Sequence, residues 1–211
     1  MEELKSLYEA VVAGDARKAR AVVEAALARG VPPLQIVTDF MVPAMSDVGQ
    51  KFECNEYFVP ELLLSARAMK SAMEPIRPLL AATGAEPIGR VAVGTVKGDL
   101  HDIGKNLVAS MLEGGGFEVM DLGVNVTPEQ FIAAVKDKKA NIIALSALLT
   151  TTMPAMKTTI EALKQAGVRE QVKVLIGGAP ISQKYADEIG ADGYSETAVG
   201  AVALARKALG K

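Results

Sequence analysis

From Arg90 to the end of the chain, short apolar runs alternate with stretches of helical spacing. Val91–Gly94, Phe117–Gly123, Asn141–Ser146 and Val172–Gly177 read as strands, and Asp192–Ser195 as a short fifth. Helical segments near 104–113, 128–138, 153–166, 180–189 and 197–209 fall between and after them. Strands alternating with helices of this length imply βαβ units and a parallel sheet. Five such strands suit the order 2-1-3-4-5, in which ligands bind outside the carboxyl ends of strands one and three.

The first 82 residues show no convincing strand. Leu4, Leu7, Tyr8, Val11 and Val12 keep helical spacing until Gly14-Asp15, where Asp15 can cap a second helix. That helix carries Ala19, Val22, Val23, Ala26 and Leu27 and stops at Gly30. Pro32-Pro33 opens a third, with Leu34, Val37, Phe40, Met41 and Met45, which Pro43 should kink. Leu62, Ala66, Met69, Met73 and Ile76 mark a fourth, ending near Pro78. Four amphipathic helices with short connections predict an antiparallel bundle. Thr83–Gly89 is polar and unpatterned and reads as a linker. The fold class is therefore α/β: an N-terminal four-helix bundle over 1–82, a linker over 83–89, and a flavodoxin-like (Rossmann-like) five-stranded parallel sheet over 90–211.

Composition narrows the functions. Across 211 residues the net charge is −2, which argues against an electrostatic nucleic-acid binder. One cysteine, Cys54, excludes an internal disulfide and a Cys-rich zinc site, and its neighbours suggest a plain buried or half-buried thiol. The opening Met-Glu-Glu-Leu-Lys has no signal-peptide pattern, and no apolar run reaches 18 residues. A cytoplasmic protein without membrane association is expected. Between the third and fourth helices, Lys51–Pro60 gathers Phe52, Tyr57 and Phe58. This segment is either a loop pinned by its aromatics or an apolar lid for a ligand held elsewhere.

Three loops converge on the carboxyl edge of the sheet. The loop after strand one holds Asp99 and His101, the only histidine in the chain. Strand three runs into Ser146-Ala-Leu-Leu-Thr-Thr-Thr152, and strand four ends in Gly177-Gly178. A hydrolytic triad from Ser146 or a threonine with His101 and Asp99 lacks a Gly-x-Ser-x-Gly elbow. A phosphoacceptor site would need an Asp after strand three and a Lys after strand four, and neither is present. Flavin binding would suit the sheet but leaves Asp-x-His without a role. One His and one distant Cys cannot make a zinc site. Two readings remain open on the residues alone. His101 only hydrogen-bonds its loop, or it ligates a metal whose other positions a macrocycle supplies, with Asp99 fixing the imidazole tautomer.

Gly98-Asp-Leu-His-Asp-Ile-Gly104 resembles the Asp-x-His-x-x-Gly motif of cobalamin-binding proteins, and Ser146-x-Leu148 and Gly177-Gly178 resemble its two companion motifs. The helical front with its aromatic-x-Pro segment looks like the cap of the methionine-synthase cobalamin module. The length resembles that of the free corrinoid proteins of methylamine, methanol and methoxyaromatic methyltransferase systems. The resemblance implies a bound cobalamin or related corrinoid, in its methylcobalamin form during turnover. It implies His101 as the lower axial cobalt ligand and Asp99 as its hydrogen-bond partner. Thr152 stands where the family's proton relay has a serine, keeping the hydroxyl but not the residue type. Gly98, Asp102, Ile103 and Gly104 complete the motif loop among the cofactor-binding residues, with no individual role given to Asp102 or Lys105. Ser146, Leu148, Thr150, Gly177 and Gly178 would line the nucleotide tail, and Phe58 would cover the upper face.

The implied function is a methyl carrier working between a substrate-specific methyltransferase and an acceptor methyltransferase that uses tetrahydrofolate or a thiol. A reductive activator would be a third partner. The chain is then a carrier subunit rather than a complete enzyme. The rivals are a cobalamin-dependent regulator, which lacks an evident output module, and a cobalamin-binding mutase subunit, which has no need of a helical cap.

Overall fold

The structure, a computed structural model, describes residues 2–82 and 87–211. They form two compact units, a helical one extending to Pro87 and an α/β one built from 88–112 and 117–211. Residues 83–86 of the expected linker lie outside the described residues.

The helical unit contains α1 (Glu2–Val12), α2 (Ala16–Ala28), α3 (Pro33–Ile36), α4 (Val42–Glu53), α5 (Val59–Met73) and α6 (Arg77–Ala82). Asp15 caps α2 by accepting the Lys18 N–H at 3.0 Å. The expected third helix is interrupted. Its α3 portion passes through a π-helical turn, Val37–Met41, before α4. Pro43 has no N–H to close an α-helical bond to Asp39, and the wider turn just before it absorbs that loss. The wider turn also shifts the buried stripe. Ile36 and Val37 are inside, whereas Leu34, expected in the core, is 51% exposed. Pro78 does not end the fourth helix, which stops at Met73. It occupies the first turn of α6, where a missing N–H costs nothing. Tyr57 and Ser65 each donate to the Val12 carbonyl at 3.1 Å, satisfying an acceptor at the end of α1. Tyr57 thus pins the aromatic segment, while Phe58 stays 61% exposed. Cys54, expected at least half-buried, is exposed, because it ends α4 at a sharp turn through Asn55 at φ 60°.

The α/β unit runs β1 (Arg90–Thr95), α7 (Ile103–Gly114), β2 (Glu118–Asp121), α8 (Pro128–Lys138), β3 (Ile142–Ser146), α9 (Pro154–Gln165), β4 (Lys173–Gly177), α10 (Gln183–Ile189), β5 (Gly193–Tyr194) and α11 (Ala198–Ala208). All strand pairs are parallel, in the order β2-β1-β3-β4-β5. Successive strand residues face opposite sides. Ala92, Ile143, Leu145, Val174 and Ile176 join Phe131 of α8 and Ile160 and Leu163 of α9 in one large core. Val91, Ile142 and Leu175 meet Leu112 of α7 and Ala205 of α11 in a smaller one on the other face. On that smaller face the register stacks three layers. Val91 and Ile142 lie at the bottom, Val93, Ala144 and Leu175 in the middle, and Thr95, Ser146 and Gly177 at the carboxyl edge.

Candidate functional site

The loop between β1 and α7 is built around a buried carboxylate. The Asp99 side chain has no exposed surface and accepts four hydrogen bonds. Its Oδ1 receives the His101 backbone N–H at 3.0 Å and the His101 ring at Nδ1, 2.7 Å away. Its Oδ2 receives the Leu148 N–H at 2.8 Å and the Thr152 hydroxyl at 2.6 Å. These fill the acceptor capacity of an ionised carboxylate. Burial by itself would raise the Asp99 pKa. The bonds from Thr152, Leu148 and His101 outweigh it and hold the carboxyl well below the usual carboxylate range.

An ionised Asp99 fixes the neutral imidazole tautomer. Nδ1 carries the hydrogen and donates it, so Nε2 keeps its lone pair. The His101 side chain is half exposed. Its backbone carbonyl is tied down by the Thr95 hydroxyl at 2.7 Å. Gly98 turns the loop at φ +86°, its N–H donating to Asn125 Oδ1 at 2.8 Å. Asn125 in turn donates its own N–H to the Asp99 carbonyl at 2.9 Å. The loop is therefore held by three strand ends, and the imidazole is presented rather than buried.

Around His101 the surface is apolar. Leu100 is 71% and Ile103 82% exposed, and Leu148, whose N–H donates to Asp99, and Leu149 are also exposed. A patch of this kind marks a binding surface. Asp102 is exposed and accepts the Asn106 side-chain amide at 3.2 Å. Gly104 lies in the first turn of α7, where a Cβ would meet nothing within 4 Å. No protein atom requires glycine there, and the open space suits a ligand passing close to the backbone.

Beside this surface a cavity of about 920 Å³ runs down the smaller-core face, between the strands and helices α7 and α11. It has the size of a ligand site. His101, Asp102, Ile103, Gly104, Ser146 and Leu148 lie along its mouth, as do Gly177 and Gly178. Gly178 has φ +131°, and a Cβ on it would stand 1.9 Å from the Ala147 carbonyl oxygen. Only glycine can occupy that position, so the exits of β3 and β4 can close on one another.

One expected cavity residue falls outside the cavity, and Phe58 lies on the helical unit, where it was expected. Thr150 is exposed and outside the cavity wall, because the turn that returns Thr152 to Asp99 carries Thr150 outward. Phe58 belongs to the helical unit, at the start of α5. Thr95, Asn125 and Lys105 were not singled out from the sequence as contributors. Lys105 is 3% exposed, and its ammonium lies 2.6 Å from both carboxylate oxygens of Asp121 and from Asn106 Oδ1, fastening the first turn of α7 to the end of β2. A lysine placed one residue after the motif glycine and an aspartate closing strand two were the available signals.

Among the described residues no three His, Cys, Asp or Glu side chains gather into a metal site. The protein offers a metal one nitrogen, His101 Nε2, inside an apolar collar above a deep cavity. These residues fit a corrinoid, whose macrocycle would supply the metal's other nitrogens and whose nucleotide tail would need a slot. Comparison with known proteins agrees. A family model described as B12 binding domain matches residues 89–203, and a second of the same description matches residues 3–76. Trimethylamine corrinoid protein 1 of Methanosarcina acetivorans is 43% identical over 210 residues, 99% of this chain and 97% of that one. A cobalamin-binding protein from Desulfitobacterium hafniense superposes with a TM-score of 0.79 at 31% identity, covering 99% of both chains. The methanol:cobalamin methyltransferase complex MtaBC from Methanosarcina barkeri contains a chain matched at TM-score 0.88 and 29% identity, over 99% of this chain and 80% of that one. With its motif loop, its cavity and both units matched, the chain belongs to the B12-binding corrinoid proteins and binds a cobalamin or related corrinoid.

Proposed function

We propose that this chain is a methyl carrier. It receives a methyl group from a substrate-specific methyltransferase and presents it to a second methyltransferase, whose acceptor is tetrahydrofolate or a thiol. The observation that carries this reading is the series His101–Asp99–Thr152 at the mouth of the cavity. The bound corrinoid supplies a cobalt atom able to accept and release a methyl group. His101 Nε2 would be the protein's ligand to that cobalt. Asp99 keeps the ring in one tautomer and raises its basicity. The Asp99 carboxylate would hold the ring in place through Nδ1 whether or not Nε2 is engaged. Thr152 holds Oδ2 and keeps the carboxylate aimed at Nδ1.

The helical unit serves as a cap, with the exposed side chains of Phe58, Val59, Leu63 and Leu64 as its shielding patch. The relatives, a trimethylamine corrinoid protein and a methanol:cobalamin methyltransferase complex, support methyltransferase partners. A reductive activator completes the set. No described helix is long and apolar enough to cross a membrane.

Two measurements test the proposal. In the Co(II) form, nitrogen-15 labelling of histidine should change the electron paramagnetic resonance hyperfine splitting, and an unchanged splitting removes His101 as ligand. Methylation of the loaded protein by methylamine or methanol methyltransferases should be visible by absorbance. Failure with every donor enzyme counts against the carrier role while leaving corrinoid binding intact.

A further inference from the structure

The cavity changes character with depth. At its mouth lie hydroxyl and charged groups: Ser146, Asp102, Ser195, Glu196 and Thr197. One layer down are Val93, Ala144 and Leu175, and below them Val91 and Ile142. The helices close the bottom with Val108, Leu112, Leu204 and Ala205. At 3.3 Å per residue, the four steps along β3 from Ser146 to Ile142 give a depth of about 13 Å. Below the mouth layer the strand side chains that face the cavity carry no hydrogen-bonding group; of the other polar wall residues, the Lys105 ammonium is taken up by Asp121 and Asn106, and Tyr194 packs against the closed-face core. The strand amides and carbonyls there are engaged in the parallel ladder. Ala144 lies in the middle of the central strand yet is only half-buried, because it opens into this space.

Resting on the corrinoid assignment, we infer that this cavity selects among corrinoids by the base that ends their nucleotide tail. It takes benzimidazole or phenol and disfavours purine. A benzimidazole or purine is joined to its ribose through the five-membered ring, so the six-membered ring travels deepest. In dimethylbenzimidazole that ring is all carbon and carries methyl groups. In adenine it carries two ring nitrogens and an amine. Below the Ser146 layer those groups lose their hydrogen bonds to water and meet Val93, Leu175, Ile142 and Leu112. An unpaired polar group in a closed apolar site is heavily penalised, whereas the matching apolar ring gains from burial. Discrimination of about tenfold to a hundredfold follows. A phenolic base, with no ring nitrogen, belongs with the accepted group. The small side chains of Ala144 and Ala205 give the ring its room.

The test uses the full chain, freed of corrinoid and titrated with three cobamides that differ in the lower base: dimethylbenzimidazolyl, cresolyl and adeninyl. Binding is followed by the absorbance change of the corrin. The cresolyl and adeninyl pair is decisive, because a phenol has no nitrogen to detach from cobalt. The expected result is that the adeninyl form binds at least tenfold more weakly than the cresolyl form. Ala144→Ser, which places one hydroxyl in the middle layer, should narrow that ratio. Equal affinity of wild type for cresolyl and adeninyl forms overturns the inference and leaves the corrinoid assignment standing. Failure to bind any of the three overturns both.

Discussion

The two faces of the parallel sheet are made by the same five strands, yet they are used in opposite ways. On the face under α8, α9 and α10, Phe131, Ile143, Met156, Ile160 and Leu163 are wholly buried, in a core that draws on residues from Ala92 to Ile189. On the face under α7 and α11 the buried cluster is small, and a cavity of about 920 Å³ takes the place of a core. Adjacent residues of one strand divide the labour. Ile143 packs against the closed face, whereas Ala144 opens into the cavity. Stability is thus concentrated on one side, which frees the other to remain hollow for a ligand. Even glycine obeys the division. A Cβ on Gly94 would strike Phe131 and Val126 on the closed face, whereas Gly104 at the cavity mouth has open space beside it.

The sharpest way to expose this division is to remove bulk from the closed face. Phe131→Ala should cost about 3–5 kcal/mol of folding stability, through lost burial and an unfilled hole. Denaturant unfolding of corrinoid-free protein measures it. A loss below about 1 kcal/mol would mean that the closed face does not carry the fold.

Asp99→Asn comes next. An amide cannot accept all four donors that converge on Asp99, because its NH₂ must face two of them. A loss of about 2–3 kcal/mol at neutral pH is expected, the scale of hydrogen bonds to a charged group. The pH dependence has a definite sign. The folded-state pKa of Asp99 lies below its unfolded value, so its stabilisation is complete above the ordinary carboxylate range. It then declines as pH falls through that range toward the folded value. The gap between wild type and Asp99→Asn should therefore shrink between roughly pH 5 and pH 2. A constant gap would show that Asp99 acts by shape alone.

On the hollow side the same kind of edit should act on the ligand instead of the fold. Ala144→Leu puts a larger side chain into the cavity. Corrinoid affinity should fall about tenfold to a hundredfold, equivalent to the 1–3 kcal/mol of overpacking. Stability of the corrinoid-free protein should change by less than about 1 kcal/mol, since the side chain enters open space. If unfolding shows a loss as large as that of Phe131→Ala, the two faces are not distinct.

The same contrast explains what could be read in advance. The parallel sheet and its order were legible because apolar runs and helical spacing alternate strictly from Val91 onward. The motif loop was legible because His101, Asp99 and the glycines are close in sequence. The hollow face was not, because Ala144 and Ala205 look like ordinary small residues until the fold places both in the cavity wall. Thr95 and Asn125 reach the loop from β1 and the exit of β2, contacts that spacing cannot reveal. In the helical unit, Pro78 reads equally as an end or a beginning. The π turn before Pro43 moved the buried stripe from Leu34 to Ile36. The resemblance implied a hydroxyl at position 152, and the structure puts it against Asp99, whereas Thr150, which the resemblance placed at the cofactor, lies outside the cavity.

Thr152 offers the smallest and most discriminating test, because it lies where the hollow side joins the buried carboxylate. Its hydroxyl, 9% exposed as a residue, has one hydrogen and two acceptors within reach, Asp99 Oδ2 at 2.6 Å and the Leu149 carbonyl at 2.9 Å. The ionised carboxylate is the stronger acceptor and takes it. Thr152→Ser keeps that hydroxyl and removes one methyl group. Stability should drop by no more than about 1 kcal/mol, roughly the value of one buried carbon. Corrinoid affinity should stay within about twofold, since Asp99 remains ionised and Nδ1 remains its donor. Thr152→Val keeps the shape and removes the donor, which leaves Oδ2 with the Leu148 N–H alone. The Asp99 pKa should then rise toward the ordinary carboxylate range, and the acid loss of stability should begin at higher pH than in wild type. Parallel denaturant titrations of the three proteins from pH 7 to pH 3, with corrinoid affinity measured alongside, separate the two roles. If serine and valine behave alike, only packing matters at this position, and the hydroxyl has no part in holding Asp99.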